Sequence, residues 1–287
     1  MIQRLKITIL IDDNGSRTDL QNEHGLSFWI EADDHRILFD TGQTEAVLHN
    51  TQVLGINLSE ADTIVLSHGH YDHTGGLSSI MEMNPMTAVY CHPGVVVPRY
   101  SLRPDTTCQS IDMPSASAAA LFRSDKVRWV SQPQQLGESI GLTGPVPRLT
   151  DFEDTGGRFF LDPGMQRPDP IDDDMAMWIE TPGGIVIFSG CCHSGIVNTL
   201  RFIGQLRPGV KIRAIIGGLH LLNASEDRLE QTLDALRALS LERIVACHCT
   251  GEGALHAMKA SLGDIVTEGA AGMKITLTVF KGKEKIL

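Results

Sequence analysis

No run of about 18 apolar residues occurs in the chain, which excludes a membrane-spanning helix of ordinary length. There is no C-x-x-C pair and no evenly spaced cysteine framework; the six cysteines are Cys91, Cys108, Cys191, Cys192, Cys247 and Cys249. The opening MIQRLKITILIDD is not a secretory signal: its apolar run is short and meets Asp12-Asp13, not a small-residue cleavage site. The expectation is a cytoplasmic protein with reduced thiols. Positive charge is scarce, 24 Lys and Arg against 35 Asp and Glu, a net charge of -11. Such a chain repels phosphate backbones. Its one modest basic stretch, Arg201, Arg207, Lys211 and Arg213, reads as a solvated helix face and strand start. The partner expected is therefore a small-molecule substrate, not nucleic acid or membrane, with self-association left open. No internal repeat of fixed period is present.

What is there suits a globular α/β protein. The 287 residues are 42% hydrophobic and 21% charged. A chain of this size buries roughly three quarters of its unfolded surface, so no disulfide framework is needed. Strand-like runs at 5–11, 26–32 and 36–39 read as a meander. A helix at 45–54 ends on Gly55 as C-cap. A strand at 63–66, a helix at 77–83 and a strand at 87–90 follow. Periodicity is poor from 98 to 174, apart from strand pieces at 127–130 and 158–161; this region is expected to be an irregular insertion or lid. A hairpin is predicted at 175–188. Alternating helices and strands then run through 195–206, 212–216, 225–239, 243–246, 252–261 and 274–280. Strand-rich blocks followed by helices occur once in each half. The expectation is a single domain over 1–287, a four-layer αββα sandwich.

The chemistry is concentrated in one run, His68-Gly69-His70-Tyr71-Asp72-His73, directly after an apolar strand. Imidazole and carboxylate are good ligands for zinc, iron or manganese. His68 and His70 can point the same way and share one metal, while Asp72 and His73 serve a second. Gly69, Gly75 and Gly76 allow the tight backbone this needs.

This run, preceded by Asp40-Thr41-Gly42, resembles the metallo-β-lactamase superfamily across nearly the whole chain. Four segments resemble one bacterial and archaeal branch: Ser67 through Leu77, Ser189 through Asn198, Gly217-Gly218-Leu219-His220-Leu221, and Cys247-His248-Cys249-Thr250-Gly251. That branch is labelled 7,8-dihydropterin-6-yl-methyl-4-(β-D-ribofuranosyl)aminobenzene 5'-phosphate synthase-like.

The resemblance implies further site residues. His248 falls where the superfamily places a late histidine ligand of the second metal. His193 is implied as a ligand or close support, and His220 as a catalytic substrate contact or ligand. Many members carry a bridging aspartate where this chain has Cys191. That thiol reads either as a metal ligand or as a small buried group beneath the site. The superfamily's usual Gly-His-Thr-x-Gly motif is absent, and Ile171-Asp172-Asp173-Asp174-Met175 stands in its place. Asp173 or Asp174 supplies an oxygen near the metals or forms a solvated acidic turn. Asp40 is expected to orient a histidine. His92 is a weaker candidate. His24, His35, His49 and His256 are expected to be solvated.

The function expected is metal-dependent hydrolysis by metal-bound hydroxide, on a phosphoester small molecule of pterin-related type. Asp72 would orient water or accept its proton. One or two divalent ions are implied, zinc first, with iron or manganese as alternatives. The competing reading is a non-catalytic or redox-responsive metal-binding sensor.

Overall fold

The computed structural model describes residues 1–103 and 105–278. Val279 and Phe280, the end of the expected last strand, lie outside the described residues. Strands β1 (Arg4–Ile11), β2 (Ser27–Ala32), β3 (His35–Phe39), β4 (Thr63–Val65) and β5 (Ala88–Cys91) begin a first sheet. Strands β6 (Tyr100–Leu102) and β7 (Cys108–Ser110) pair outside it, and β8 (Val127–Trp129) joins its edge. Strands β9 (Gln134–Gly137) and β10 (Ile140–Leu142) begin the second sheet, while β11 (Phe159–Phe160) pairs with β6. Strands β12 (Met177–Thr181), β13 (Gly184–Ser189), β14 (Ile212–Gly218), β15 (Arg243–Cys247) and β16 (Val266–Glu268) complete the second sheet. Strand β17 (Lys274–Thr278) returns to the first, antiparallel to β1. The first sheet runs β17-β1-β2-β3-β4-β5-β8 and the second β16-β15-β14-β13-β12-β10-β9.

Side-chain alternation makes four layers. Along β13, Val186 and Phe188 join Ile7, Phe28 and Phe39 of the first sheet in the central core. Ile185 and Ile187 point the other way, against α5 (Ile196–Leu206), α6 (Glu226–Arg237) and α7 (Glu252–Leu262). On the first sheet, Trp29, Leu38 and Ile64 pack against α1 (Ala46–Leu54), α3 (Leu77–Met83) and α4 (Ser115–Arg123); the single turn α2 (Tyr71–Thr74) lies in the site loop between α1 and α3. A strand buried on both faces must be apolar throughout, which is why β13 reads as an unbroken hydrophobic run. Each such Val, Ile or Phe contributes about 1.5–3 kcal/mol on burial. The arrangement is the αββα sandwich. Gly55 caps α1 in the left-handed region at φ 70°, and Ser225 caps α6 by accepting from Arg228 N at 3.1 Å.

Residues 98–174 go to three places. Strands β6, β7 and β11 form a small sheet, called the strap below; α4 and β8 extend the first sheet's side; β9 and β10 extend the second sheet. No helix among the described residues is long and apolar enough to cross a membrane.

Candidate metal centre

The candidate residues follow the carboxyl ends of strands. Asp12 and Asp13 follow β1, Asp40 follows β3, Ser67 to His73 follow β4, Cys191 to His193 follow β13, His220 follows β14 and His248 follows β15. In α/β sheets this is the end at which ligands bind. Four of these residues hold positive φ: Asp40 at 57°, Cys192 at 63°, His220 at 46° and His248 at 47°. Each such residue costs of order 1–3 kcal/mol, and strain of this kind gathers at functional sites. Gly190 is required by close approach: a Cβ there would lie 2.0 Å from Ser67 Oγ and 2.8 Å from Asp40 Oδ2.

The first cluster is made of three imidazoles. His68 Nε2 lies 2.9 Å from His70 Nδ1, and His193 Nε2 lies 3.2 Å from the same nitrogen. The outer nitrogens fix the tautomers. His193 Nδ1 donates to Thr155 O at 2.9 Å. Ser67 Oγ donates to Asp40 Oδ2 at 2.7 Å, so it accepts from His68 Nδ1 at 2.9 Å. His70 Nε2 is buried without a partner. His68 Nε2 and His193 Nε2 therefore present lone pairs towards His70 Nδ1, and the three nitrogens converge on one point. Burial first, then the neighbouring cationic groups, pushes all three imidazoles well below their ordinary range, so they are neutral. Neutral imidazole is the form that ligates metal.

The second cluster mixes donor types. His73 Nδ1 donates to Asp40 Oδ2 at 2.7 Å, which leaves Nε2 facing Cys191 Sγ at 3.2 Å and Asp72 Oδ2 at 3.8 Å. His248 Nδ1 donates to Asp13 Oδ1 at 2.5 Å, and its Nε2 lies 3.3 Å from Asp72 Oδ2. Burial opposes the charge on Asp72, but His73 and His248 hold its carboxyl well below the usual range. Burial likewise opposes charge on His73, yet Asp40 and Asp72 raise it; His248 is raised against burial by Cys249, Asp13 and Asp72. These carboxylates call for positive charge at the inner nitrogens, and a divalent ion supplies it there. Ligand atoms of His68, His70 and His193 lie within 4.8 Å of one another, as do those of His68, His73 and Cys191, and of Cys191, His248 and Cys249. Both clusters fit metal ions.

The two clusters meet under an open cavity of about 1200 Å³ lined by His70, Asp72, Cys191, His220 and His248. His220 lies between them. Its ring centroid is 4.3 Å from that of His193, and its Nδ1 is buried without a partner. All the residues singled out by the sequence as metal or catalytic candidates are thus brought together.

Several others are placed differently. Asp173 and Asp174 are neither exposed nor ligand-like. Asp173 accepts from Gly69 N at 2.8 Å and is gripped by Arg99 at 2.5 and 2.8 Å. Asp174 accepts from Ser194 N at 2.7 Å. These carboxylates brace the two ligand loops. His92 accepts from Gly94 N and serves a local turn. His24, expected in solvent, reaches the site instead: Nδ1 lies 2.9 Å from Asp13 Oδ2 and Nε2 lies 3.3 Å from Asp72 Oδ2. His256 remains exposed but lines the cavity rim. Sequence reasoning missed Asp13, Arg99 and Phe159. The Asp12-Asp13 pair had a usable signal, since it follows a buried strand as the histidine run does.

The sequence matches the family model described as Metallo-beta-lactamase superfamily over residues 21–248. The chain belongs to the metallo-beta-lactamase superfamily. Within it, a relative from Methanocaldococcus jannaschii, named 7,8-dihydropterin-6-methyl-4-(beta-D-ribofuranosyl)-aminobenzene-5'-phosphate synthase, is 34% identical over 87% of this chain and 89% of that protein. A solved structure described as a metal-dependent hydrolase of the beta-lactamase superfamily superposes with a TM-score of 0.81 at 29% identity, covering 96% of this chain and all of that one. Zinc-bound PqqB from Methylobacterium extorquens shares the fold alone, with a TM-score of 0.56 at 13% identity, over 96% of this chain and all of that one.

Proposed function

We propose that this chain is a metal-dependent hydrolase of a phosphoester-bearing small molecule, with a pterin-related compound as the leading substrate class. His68, His70 and His193 would hold one divalent ion, and Asp72, His73, Cys191 and His248 a second. Zinc is the first choice for a nitrogen-rich set, with iron or manganese as alternatives. The observation that carries the reading is the convergence of three neutral imidazole nitrogens on one point beneath an open cavity. A divalent ion in such a site supplies Lewis acidity and brings the pKa of a bound water towards about 7.

The chain's own residues do the rest. Asp72 keeps its charge and lines the cavity, where it can orient water and accept a proton. His220 lines the cavity, where its ring can meet an oxygen on which charge develops. Asp40 and Asp13 hold His73 and His248 in one tautomer and orientation. Phe159 lies 5.4 Å from His70 and 5.3 Å from His193 between ring centroids, giving a planar substrate an apolar face beside the clusters.

A second reading has its own support. The relative from Methanocaldococcus jannaschii is named a synthase, and the cavity exceeds the roughly 300–1,000 Å³ of ordinary small-molecule pockets. In that reading an amine takes the place of water as nucleophile at the carbon bearing the phosphoester: the C–N bond forms as the C–O bond breaks, the phosphate leaves with the electron pair, and the amine gives up a proton.

The test is hydrolysis of bis(p-nitrophenyl) phosphate, with carboxylate-ester controls, by metal-stripped protein, metal-restored protein and His70→Ala. Phosphodiester turnover that returns with metal and is absent in the variant is the expected result. Tight metal binding with no turnover of any ester would overturn hydrolysis in favour of transfer or of a non-catalytic metal sensor.

A further inference from the structure

The strap brings two arginines to the cavity, and among the described residues neither forms a salt bridge. Arg103 follows β6 and Arg158 precedes β11; Leu102 N donates to Arg158 O at 3.0 Å, so Arg158 stands opposite Leu102, one position before Arg103, at the end of the small sheet. Both line the cavity that the ligand clusters share. Among the described residues, neither guanidinium has a carboxylate within salt-bridge distance, whereas Arg99, Arg207 and Arg213 do. Arg103 bonds to neutral groups, Gln109 Oε1 at 2.6 Å and the Tyr71 hydroxyl. Asp105 accepts from Thr107 N and Oγ1 at 3.0 and 2.6 Å, and Asp154 is engaged by Arg228. In a chain of net charge -11, acids are plentiful, yet these two cations are left to the cavity.

Their position is fixed relative to the ligands. Tyr71 N donates to Ile111 O at 3.1 Å, and Ile111 N donates to Arg99 O at 2.9 Å. Arg99 is buried on Asp169 and Asp173, and Asp173 in turn accepts from Gly69 N, inside the histidine run. Phe159, next to Arg158 in sequence, lies beside His70 and His193. The acids on the cavity wall that pair with no arginine, Asp13, Asp72, Glu252 and Glu268, come from other elements.

We infer that Arg103 and Arg158 form an anion subsite on the cavity rim, apart from the metal clusters, which holds a terminal phosphate monoester of a substrate whose aromatic ring lies on Phe159. Guanidinium forks match phosphate oxygens in bidentate geometry, and such charge-assisted bonds are roughly twice as strong as neutral ones. The inference rests on the reading of the cavity as the seat of a phosphate-bearing small molecule. It adds that one phosphate is held away from the reacting bond, so the substrate carries an anionic end and a separate reactive centre.

The test is calorimetric binding to the metal-loaded protein of a phenyl ribofuranoside carrying a 5-phosphonate, which resists hydrolysis, and of its 5-hydroxyl counterpart. Wild type is expected to prefer the phosphonate at least tenfold. Arg103→Gln/Arg158→Gln is expected to bind the two alike, with metal content and Tm unchanged, while Arg237→Gln, paired to Asp234, keeps the preference. A wild type with no preference, or a double variant that keeps it because the anion sits on the metals, overturns the inference. Binding is read without turnover, so the outcome is independent of whether bis(p-nitrophenyl) phosphate is hydrolysed.

Discussion

The three-imidazole cluster is backed by neutral oxygens, Ser67 Oγ behind His68 and Thr155 O behind His193. The mixed cluster is backed by carboxylates, Asp40 behind His73 and Asp13 behind His248, and contains a carboxylate and a thiol of its own. Burial is nearly complete in both, so the difference lies in charge. Low dielectric makes uncompensated charge expensive, which keeps the first three imidazoles neutral and makes the second cluster depend on a cation. The mixed cluster is therefore expected to hold a divalent ion more strongly. The imidazole cluster, nearer Phe159 and the strap, is expected to be the weaker holder.

The largest effect is expected from Asp72→Asn, which removes the mixed cluster's own carboxylate. Turnover should fall about 10²–10⁴-fold, and metal analysis should show the mixed cluster's ion lost while the imidazole cluster keeps its own. Equal loss from both would break the comparison. Arg99→Ala leaves Asp173 buried without its partner, at a cost of about 3–5 kcal/mol. The drop should be visible in urea unfolding, and the histidine-run loop, tied through Gly69 N, should exchange its amides faster than the loop of Cys191. A change under 1 kcal/mol in that experiment would count against the clamp, by the same principle.

Asp40→Asn removes a carboxylate that orients His73 and should weaken the second ion by about 10–100-fold. Ser67→Ala, which removes a neutral group, should cost metal affinity less; competition with a chelating dye reads both. The smallest effect is the order of release. During chelator titration the imidazole cluster should empty first, followed through loss of the His68 and His70 ring-proton shifts by NMR. Simultaneous loss would mean that charge does not separate the clusters.

Much of this centre was legible in the sequence because one loop carries it. His68, His70, Asp72 and His73 are neighbours, so strand-end placement and residue type suffice to suggest a metal. The partners of that loop are not local. Asp13 meets His248 across 235 positions, and Arg99 meets Asp173 across 74. Asp173 was legible as acidic but not as a brace, because its role depends on Gly69 and Arg99 approaching it. His24 read as solvated because its local surroundings are polar, yet folding sets it against Asp13 and Asp72. The 98–174 stretch resisted reading because its strands are two to four residues long, too short for a period of two to register.

The sequence alone determined the layer order, through strands apolar on both faces and helices placed between them. It also determined the first loop of candidate ligands, since alternation and contiguity are local properties. Only the tertiary structure decided which donors share a point, which tautomers they take and which acids face inward. Those depend on distances between strand ends set by sheet pairing and by the central core, which no local pattern encodes.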